Sequence, residues 1–248
     1  MIKYITSRKN QIIVDTIQLR NNKTSTKKKQ FIIEGDHLFE MAIKSGNVKY
    51  LFSLKHINGI NENIDQYIVT QDILEKISIN KSTPNVIAIC EYVNEQIDEK
   101  ANKLVYLDNI QDPGNLGTIL RSSLAFSYKN VLISSDSVNK YNEKAIQSSQ
   151  GALFNLNIET CNVTKLQKLK DSGYKIIVTL LDKDAIKLND FSIPKTEKYV
   201  IVLGNEGQGV RKEIIDLADY KVFIEIDNID SLNVAIAGAI IMHKLNSI

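Results

Sequence analysis

Several features that would declare a function at once are missing from this sequence. It has two cysteines, Cys90 and Cys161, far apart and without a second cysteine or a histidine at metal-ligand spacing. They read as plain thiols of a reducing compartment. His37, His56 and His243 form no cluster with acidic partners, so neither a metal nor a histidine-based catalytic centre is expected. No run approaches the ~18 apolar residues that span a bilayer, and the opening MIKYITSRKN lacks an apolar signal core. The expected location is the cytoplasm. With a net charge of only +2, overall charge selects no partner, and its distribution matters instead.

The 248 residues suffice for one large domain or two small ones. The first thirty carry Lys3, Arg8, Lys9, Arg20, Lys23, Lys27, Lys28 and Lys29 against the single acid Asp15. That cluster fits a phosphate-facing surface, with Arg8, Lys9, Lys27, Lys28 and Lys29 as RNA contacts. It equally fits a solvated helix over 10–19 followed by a mobile basic loop, NNKTSTKKKQ. Next, FIIEG reads as a short strand, Asp36 as a helix N-cap and Gly46 as that helix's end. Apolar runs at 48–54, 67–69 and 86–90, with a helix over 71–77, complete a small α/β domain, 1–94. The polar stretch at 95–102 reads as a linker and 103–248 as a second domain.

In the second domain the strand 103–107, the loop DNIQDPGN, the helix LGTILRSSLAF and the strand 131–134 have the length of a parallel crossover. Asn115 is expected to cap the helix, with Arg121 on another face less than two turns away. A helix over 143–150, a strand over 153–158, a helix over 164–172 and a strand over 175–180 follow. A strand over 199–203 then runs into GNEGQG, where Gly204, Gly207 and Gly209 let the backbone turn sharply and approach a ligand. No Gly-Lys-Ser/Thr follows, so this is not a phosphate loop, and its glycine order is not the dinucleotide fingerprint. Glu206 would repel a phosphate but suits a cationic or hydroxyl-bearing ligand. Ser231 is expected to cap a final helix that has Asn233 in its first turn and small residues at Ala235, Ala237, Gly238 and Ala239, which would let a second helix approach closely. Taken singly, each of these features also reads as plain structure: a capped helix, a tight turn, a core helix.

In that order, DPGNLGTILR, VLGNEGQGV and SLNVAIAGAI resemble the three signature motifs of the SpoU (TrmH-like, SPOUT superfamily) RNA ribose 2′-O-methyltransferases. FIIEG resembles the Phe-x-x-Glu-Gly element of the L30e-like substrate-binding domain that many members carry. The resemblance implies an α/β fold whose C-terminal parallel sheet is threaded into a trefoil knot, an exception to the usual avoidance of knots. It implies S-adenosyl-L-methionine as cofactor, held bent by Leu203, Gly204, Gly207, Ile224 and Leu232. Arg121 would act on the ribose hydroxyl, with Asn115, Glu206, Ser231 and Asn233 positioning it. A free guanidinium titrates above ~12, so stabilising an alkoxide is an easier task for it than accepting a proton. The implied assembly is a homodimer through the C-terminal domain. The implied substrate is 23S ribosomal RNA; the alternatives are transfer RNA, or a catalytically inactive RNA-binding assembly factor. One departure stands out: relatives commonly have proline, and often glycine, before Ser-Leu-Asn, where this chain has IEIDNID with Glu225 near the proline position.

Overall fold

A computed structural model describes residues 1–80, 82–93, 95–180 and 182–246. The chain divides into two compact units, Met1–Val93 with Tyr141–Phe154, and Asn94–Lys140 with Asn155–Ile248. Position 94, where the sequence reading ends the first domain, lies outside the described residues.

The first unit runs β1 (Ile2–Ile5), α1 (Gln11–Gln18), α2 (Asn22–Lys28), β2 (Gln30–Glu34), α3 (Asp36–Lys44), β3 (Val48–Ser53), β4 (Asp65–Val69), α4 (Gln71–Ile77) and β5 (Val86–Glu91). Among the described residues its sheet has five strands in the order β1-β4-β3-β5-β2. The first three are parallel, and β5 is antiparallel to both neighbours. Ile13, Ile73, Leu74 and Ile77 of α1 and α4 bury against Phe52, Ile87 and Ile89 of the sheet. Strand β1 is absent from the sequence reading because Ile2 and Tyr4 are exposed on this edge and only Ile5 is buried.

Three local expectations are corrected. The basic stretch is a helix, α2, and not a mobile loop: the Asn21 side chain accepts from Lys23 N at 2.9 Å, and Lys29 closes the helix at φ 50°. Arg20 leaves the basic surface, because Glu143 at 2.7 Å and the buried Glu34 at 3.2 Å claim its guanidinium. Asp36 is not a cap. Gly35 takes that position at φ 97°, which L residues avoid, and the Asp36 carboxylate accepts from Asn85 Nδ2 at 3.0 Å.

The second unit begins with β6 (Lys103–Leu107), α5 (Pro113–Ala125) and β7 (Asn130–Ser134). The chain then makes α6 (Glu143–Ser149), which belongs to the first unit although its sequence position suggests the second. Glu143 meets Arg20, Tyr141 packs on Phe31 with ring centroids 4.8 Å apart, and Gly151 lies against Met41. After a 3-10 turn at Ala152–Asn155, β8 (Asn157–Cys161) starts later than the 153–158 reading. The unit continues with α7 (Val163–Asp171), β9 (Lys175–Thr179), β10 (Ile186–Lys187), β11 (Tyr199–Leu203), α8 (Lys212–Ile215), β12 (Tyr220–Phe223) and α9 (Val234–Asn246).

Among the described residues this sheet has seven strands in the order β10-β12-β9-β11-β6-β7-β8, parallel at every pairing. Strand β11 is buried at all five positions, as the unbroken apolar runs of two-sided parallel strands demand. From β6 the chain builds outward through β7 and β8 on one side and later fills the other. The crevice beyond the carboxyl ends of β6 and β11 is therefore the switch point where ligands bind in such sheets. The polar stretch 95–102 is no free linker. Ile97 is in this unit's core, Asp98 N donates to Asn130 Oδ1 at 2.7 Å, and the Tyr174 hydroxyl lies 2.6 Å from Ala101 O.

Candidate active site

The loop after β6 sets up the first group. Asp112, not Asn115, caps α5: its carboxylate accepts from Asn115 N at 2.9 Å, and Pro113, which has no N–H to satisfy, takes the first helical position. The Asn115 side chain is thereby released from capping and reaches across the crevice.

The loop after β11 supplies the second. Asn205 and Gly209 exchange two backbone hydrogen bonds, each 3.0 Å. The Asn205 side chain ties the turn from within, accepting from Gly207 N and Gln208 N at 2.9 Å and donating to Asn109 O at 2.8 Å. Closure is so tight that a Cβ on Gly204 would lie 2.4 Å from Gly209 C. Glu206 is carried over the start of α5. Its Oε1 accepts from Asp112 N at 3.1 Å and Asn115 Nδ2 at 3.0 Å, and its Oε2 from Gln111 N at 3.2 Å.

The third comes from α9. Asn233, not Ser231, caps this helix: its Oδ1 accepts from Ala235 N at 2.9 Å and Ile236 N at 3.3 Å, while its Nδ2 donates to Asn115 Oδ1 at 2.9 Å. One chain of hydrogen bonds thus runs from Glu206 through Asn115 to Asn233, linking all three motifs. Ser231 is left to line the neighbouring cavity.

That cavity, about 270 Å³, is bounded by Gly204, Glu206, Gly207, Ile224, Ser231 and Leu232, with Val234, Ala237 and Ile241 forming its apolar floor. Leu203 is not on its wall. It is fully buried, and its Cδ1 lies 2.6 Å from where a Cβ on Gly238 would stand. The helix's small residue is therefore used inside the chain, on β11, whereas Ile236 and Ile240 form its exposed apolar face. The IEIDNID departure is absorbed locally. Asn228 takes φ 66°, the conformation a glycine would supply, Ile224 and Ile226 turn to the cavity, and Glu225 turns out to Lys187 at 2.8 Å. Arg121 stands on the exposed face of α5, outside the hydrogen-bond chain. In the first unit, Arg8, Lys9, Lys27, Lys28 and Lys29 are all exposed.

Partial burial works to raise the Glu206 carboxyl, but hydrogen bonds from the Asn115 amide and from backbone N–H groups outweigh it and hold the group below its ordinary value. Glu206 is therefore an ionised acceptor at neutral pH and does not deliver protons. A carboxyl depressed on folding stabilises the loop above its unfolded-state value near 4.5, and that contribution fades only as the pH falls through the lower folded value. Amide resonances of residues 204–210 should accordingly hold steady on acidification to about that ordinary value; a transition well above it would contradict the assignment. Burial raises Cys90 and pushes the Cys161 thiol up to about 12, so neither is a ready nucleophile. Among the described residues no group of three His, Cys, Asp or Glu could hold a metal ion, and no helix is long and apolar enough to cross a membrane.

Sequence reasoning missed Asp108, Arg211 and Asn205. Asp108 is fully buried at the end of β6, where an unpaired carboxylate would be costly. Arg211, just past the glycine loop, answers it with Nε at 2.7 Å and its backbone N at 2.9 Å. The signal was present: an acid directly behind the buried run Leu104–Leu107 requires a partner. Together these contacts present an apolar cavity with one fixed anion at its rim, beside a row of oriented amides. Such a site suits a ligand with a cationic centre and an apolar body, and can orient a hydroxyl next to it.

Known proteins place this arrangement. A family model described as the SpoU rRNA Methylase family matches residues 102–243, and one described as an MRM3-like substrate binding domain matches 10–88. The 23S rRNA (guanosine(2553)-2′-O)-methyltransferase RlmP of Bacillus subtilis (strain 168) is 30% identical over 250 residues, covering 98% of this chain and 99% of that one. Among solved structures, an AdoMet-bound rRNA methyltransferase from Sinorhizobium meliloti superposes with a TM-score of 0.85 at 23% identity, covering 98% and 97% of the two chains. AviRb, a SpoU methyltransferase from Streptomyces viridochromogenes in complex with AdoMet, gives 0.82 at 22% identity, covering 96% and 98%. With the family match spanning more than half of its length, and a relative of that identity along nearly all of it, this chain is a member of the SpoU rRNA methylase family.

Proposed function

We propose that the protein transfers the methyl group of S-adenosyl-L-methionine to a ribose 2′-hydroxyl of 23S ribosomal RNA. The observation that carries this reading is the chain Glu206–Asn115–Asn233 at the rim of the glycine-loop cavity. The residues fit the cofactor. Apolar side chains and backbone groups wall the cavity, and its one fixed charge, on Glu206, suits a sulfonium and an ammonium. When bound, the cofactor would supply an electrophilic methyl whose transfer to oxygen leaves a neutral thioether, while the proton of the ribose hydroxyl passes to solvent water.

The chain's own residues have two tasks. Asn115, Ser231 and Asn233 hold the ribose so that its 2′-oxygen lies in line with the methyl, the gain of prepaid orientation. Arg121 stabilises the developing alkoxide and the adjacent phosphate through charge-assisted hydrogen bonds. Its exposed place on α5 favours a site completed by a second copy, with the Ile236 and Ile240 face of α9 in a homodimer interface. The reading extends to a trefoil knot through β12 and α9. It is supported by β12 lying across β9 from β11 and by α9 returning onto β11 and α5. It further takes the first unit as an L30e-like RNA-binding domain and the cytoplasm as the place of action.

Incubation with methyl-labelled S-adenosyl-L-methionine and separate pools of 23S and transfer RNA, followed by mapping of the modified nucleotide, tests the reading. Label on a 2′-oxygen of 23S RNA is expected. Label in transfer RNA alone would move the substrate, and cofactor binding without label in either pool would leave an RNA-binding factor. For the basic helix, changing Lys27, Lys28 and Lys29 to Gln should flatten the dependence of log affinity on log salt by about 2, at roughly 0.7 per lost phosphate contact on single-stranded RNA. An unchanged slope would return this helix to a plain solvated surface.

A further inference from the structure

The first unit contains a second cavity, of about 410 Å³, that the proposed methyl transfer does not use. Phe31 and Ile32 of β2, Ile79 after α4, Asn22 of α2 and Gln147 of α6 contribute to its wall. Glu34 braces it from behind, accepting from Ser78 Oγ and Asn80 Nδ2 at 2.8 Å each and from Ile79 N at 3.1 Å. Arg20 and Lys144 balance Glu34 and Glu143 around the site. The Arg20 guanidinium is shared between Glu34 and Glu143, so an incoming phosphate would find that cation already paired, and a cation would find both carboxylates engaged.

Beside these charges the wall offers Ile79 and several carboxamides, with Phe31 and Ile32 almost fully buried. Ile79 is 50% exposed at the cavity and offers its apolar side chain to a ligand there. Each of the Asn22 and Gln147 amides offers a donor and an acceptor. Apolar faces with a few uncharged hydrogen-bonding groups suit a flat, neutral heteroaromatic ring. Asn22 opens α2, and Lys27 and Lys28 lie about 7.5 and 9 Å further along the same helix, at 1.5 Å per residue. A base at Asn22 would thus have its strand's phosphates beside exposed lysines.

We propose that this cavity is a subsite for one unstacked RNA nucleobase, read by Asn22 and Gln147 and covered on one side by Ile79. The proposal rests on the RNA-binding reading of the first unit. Fluorescence anisotropy with short single-stranded RNA homopolymers, and with an abasic ribose-phosphate strand of equal length, tests it in the full-length protein. At least one homopolymer should bind on the order of tenfold more tightly than the abasic strand, the effect of one stacked base. Asn22→Ala combined with Gln147→Ala should erase that preference while leaving abasic affinity and its salt slope unchanged. Ile79→Trp, which fills the cavity from an exposed position, should do the same. Persistence of the preference in both variants overturns the subsite. Equal wild-type affinity for base-bearing and abasic strands overturns it while RNA binding stands, and absence of binding to either overturns both.

Discussion

Gly204→Ala should lose S-adenosyl-L-methionine binding by on the order of 100-fold or more, at tenfold per 1.4 kcal/mol, with the first unit still folded. The added Cβ would meet Gly209 C and Val210 N at 2.4 Å and Gly209 O at 2.7 Å. All three are backbone atoms of a loop closed by two hydrogen bonds, so relief by a side-chain rotation is not available. Opening the loop forfeits both bonds, about 1 kcal/mol each, and forcing a methyl into packed space adds roughly 1–3 kcal/mol. Gly207→Ala is the internal comparison. Its Cβ would meet only Asn205 Oδ1, at 3.7 Å, so the loop should close as before and the loss of affinity should be smaller than that of Gly204→Ala. Calorimetric titration of both variants beside thermal unfolding separates loss of the pocket from loss of the fold. Tight cofactor binding by Gly204→Ala would mean that the closed loop is not the binding conformation.

Arg121→Ala should retain cofactor affinity and lose methyl transfer by about 10²–10³-fold, the scale seen when one donor to a developing oxyanion is removed. Retained affinity follows from position, since Arg121 is exposed on α5 and no wall of the cavity is built from it. At 100° per residue, the six positions from Asn115 turn its side chain about 120° away from the amide chain. Arg121→Lys should rescue little, because an ammonium cannot span alkoxide and phosphate as a planar fork does. Single-turnover kinetics with saturating cofactor provide the measurement, and near-normal turnover removes Arg121 from the mechanism. Mixing Arg121→Ala with Gly204→Ala chains tests where the arginine works. If a dimer shares it across subunits, mixed dimers regain activity that neither variant has alone.

The hydrogen-bond chain explains why two polar residues that look like caps in sequence behave differently in space. Asn115 and Ser231 each precede an apolar helical run, the usual signature of a cap. In the fold, Asp112 and Asn233 take those duties. The carboxamide of Asn233 serves twice, its oxygen closing α9 and its nitrogen reaching Asn115.

The sequence by itself determined the four central strands β6, β7, β9 and β11 of the parallel sheet and the order of the three motifs, whereas β8 was placed too early and β10 and β12 were not read as strands. Strands such as 199–203 are apolar without interruption because both faces are covered, and such a run is readable without knowing its neighbours. The glycine loop was readable for a similar reason, since its tight closure is a property of six consecutive residues. The tertiary structure alone decided what depends on partners distant along the chain. It drew Arg20 out of the basic surface onto Glu143, 123 residues away, assigned α6 to the first unit, and used Gly238 against Leu203. It likewise paired Asp108 with Arg211, 103 residues apart. Local sequence carries propensity and periodicity, whereas the cost of a buried charge or a close approach is met by whichever residue the fold brings to it.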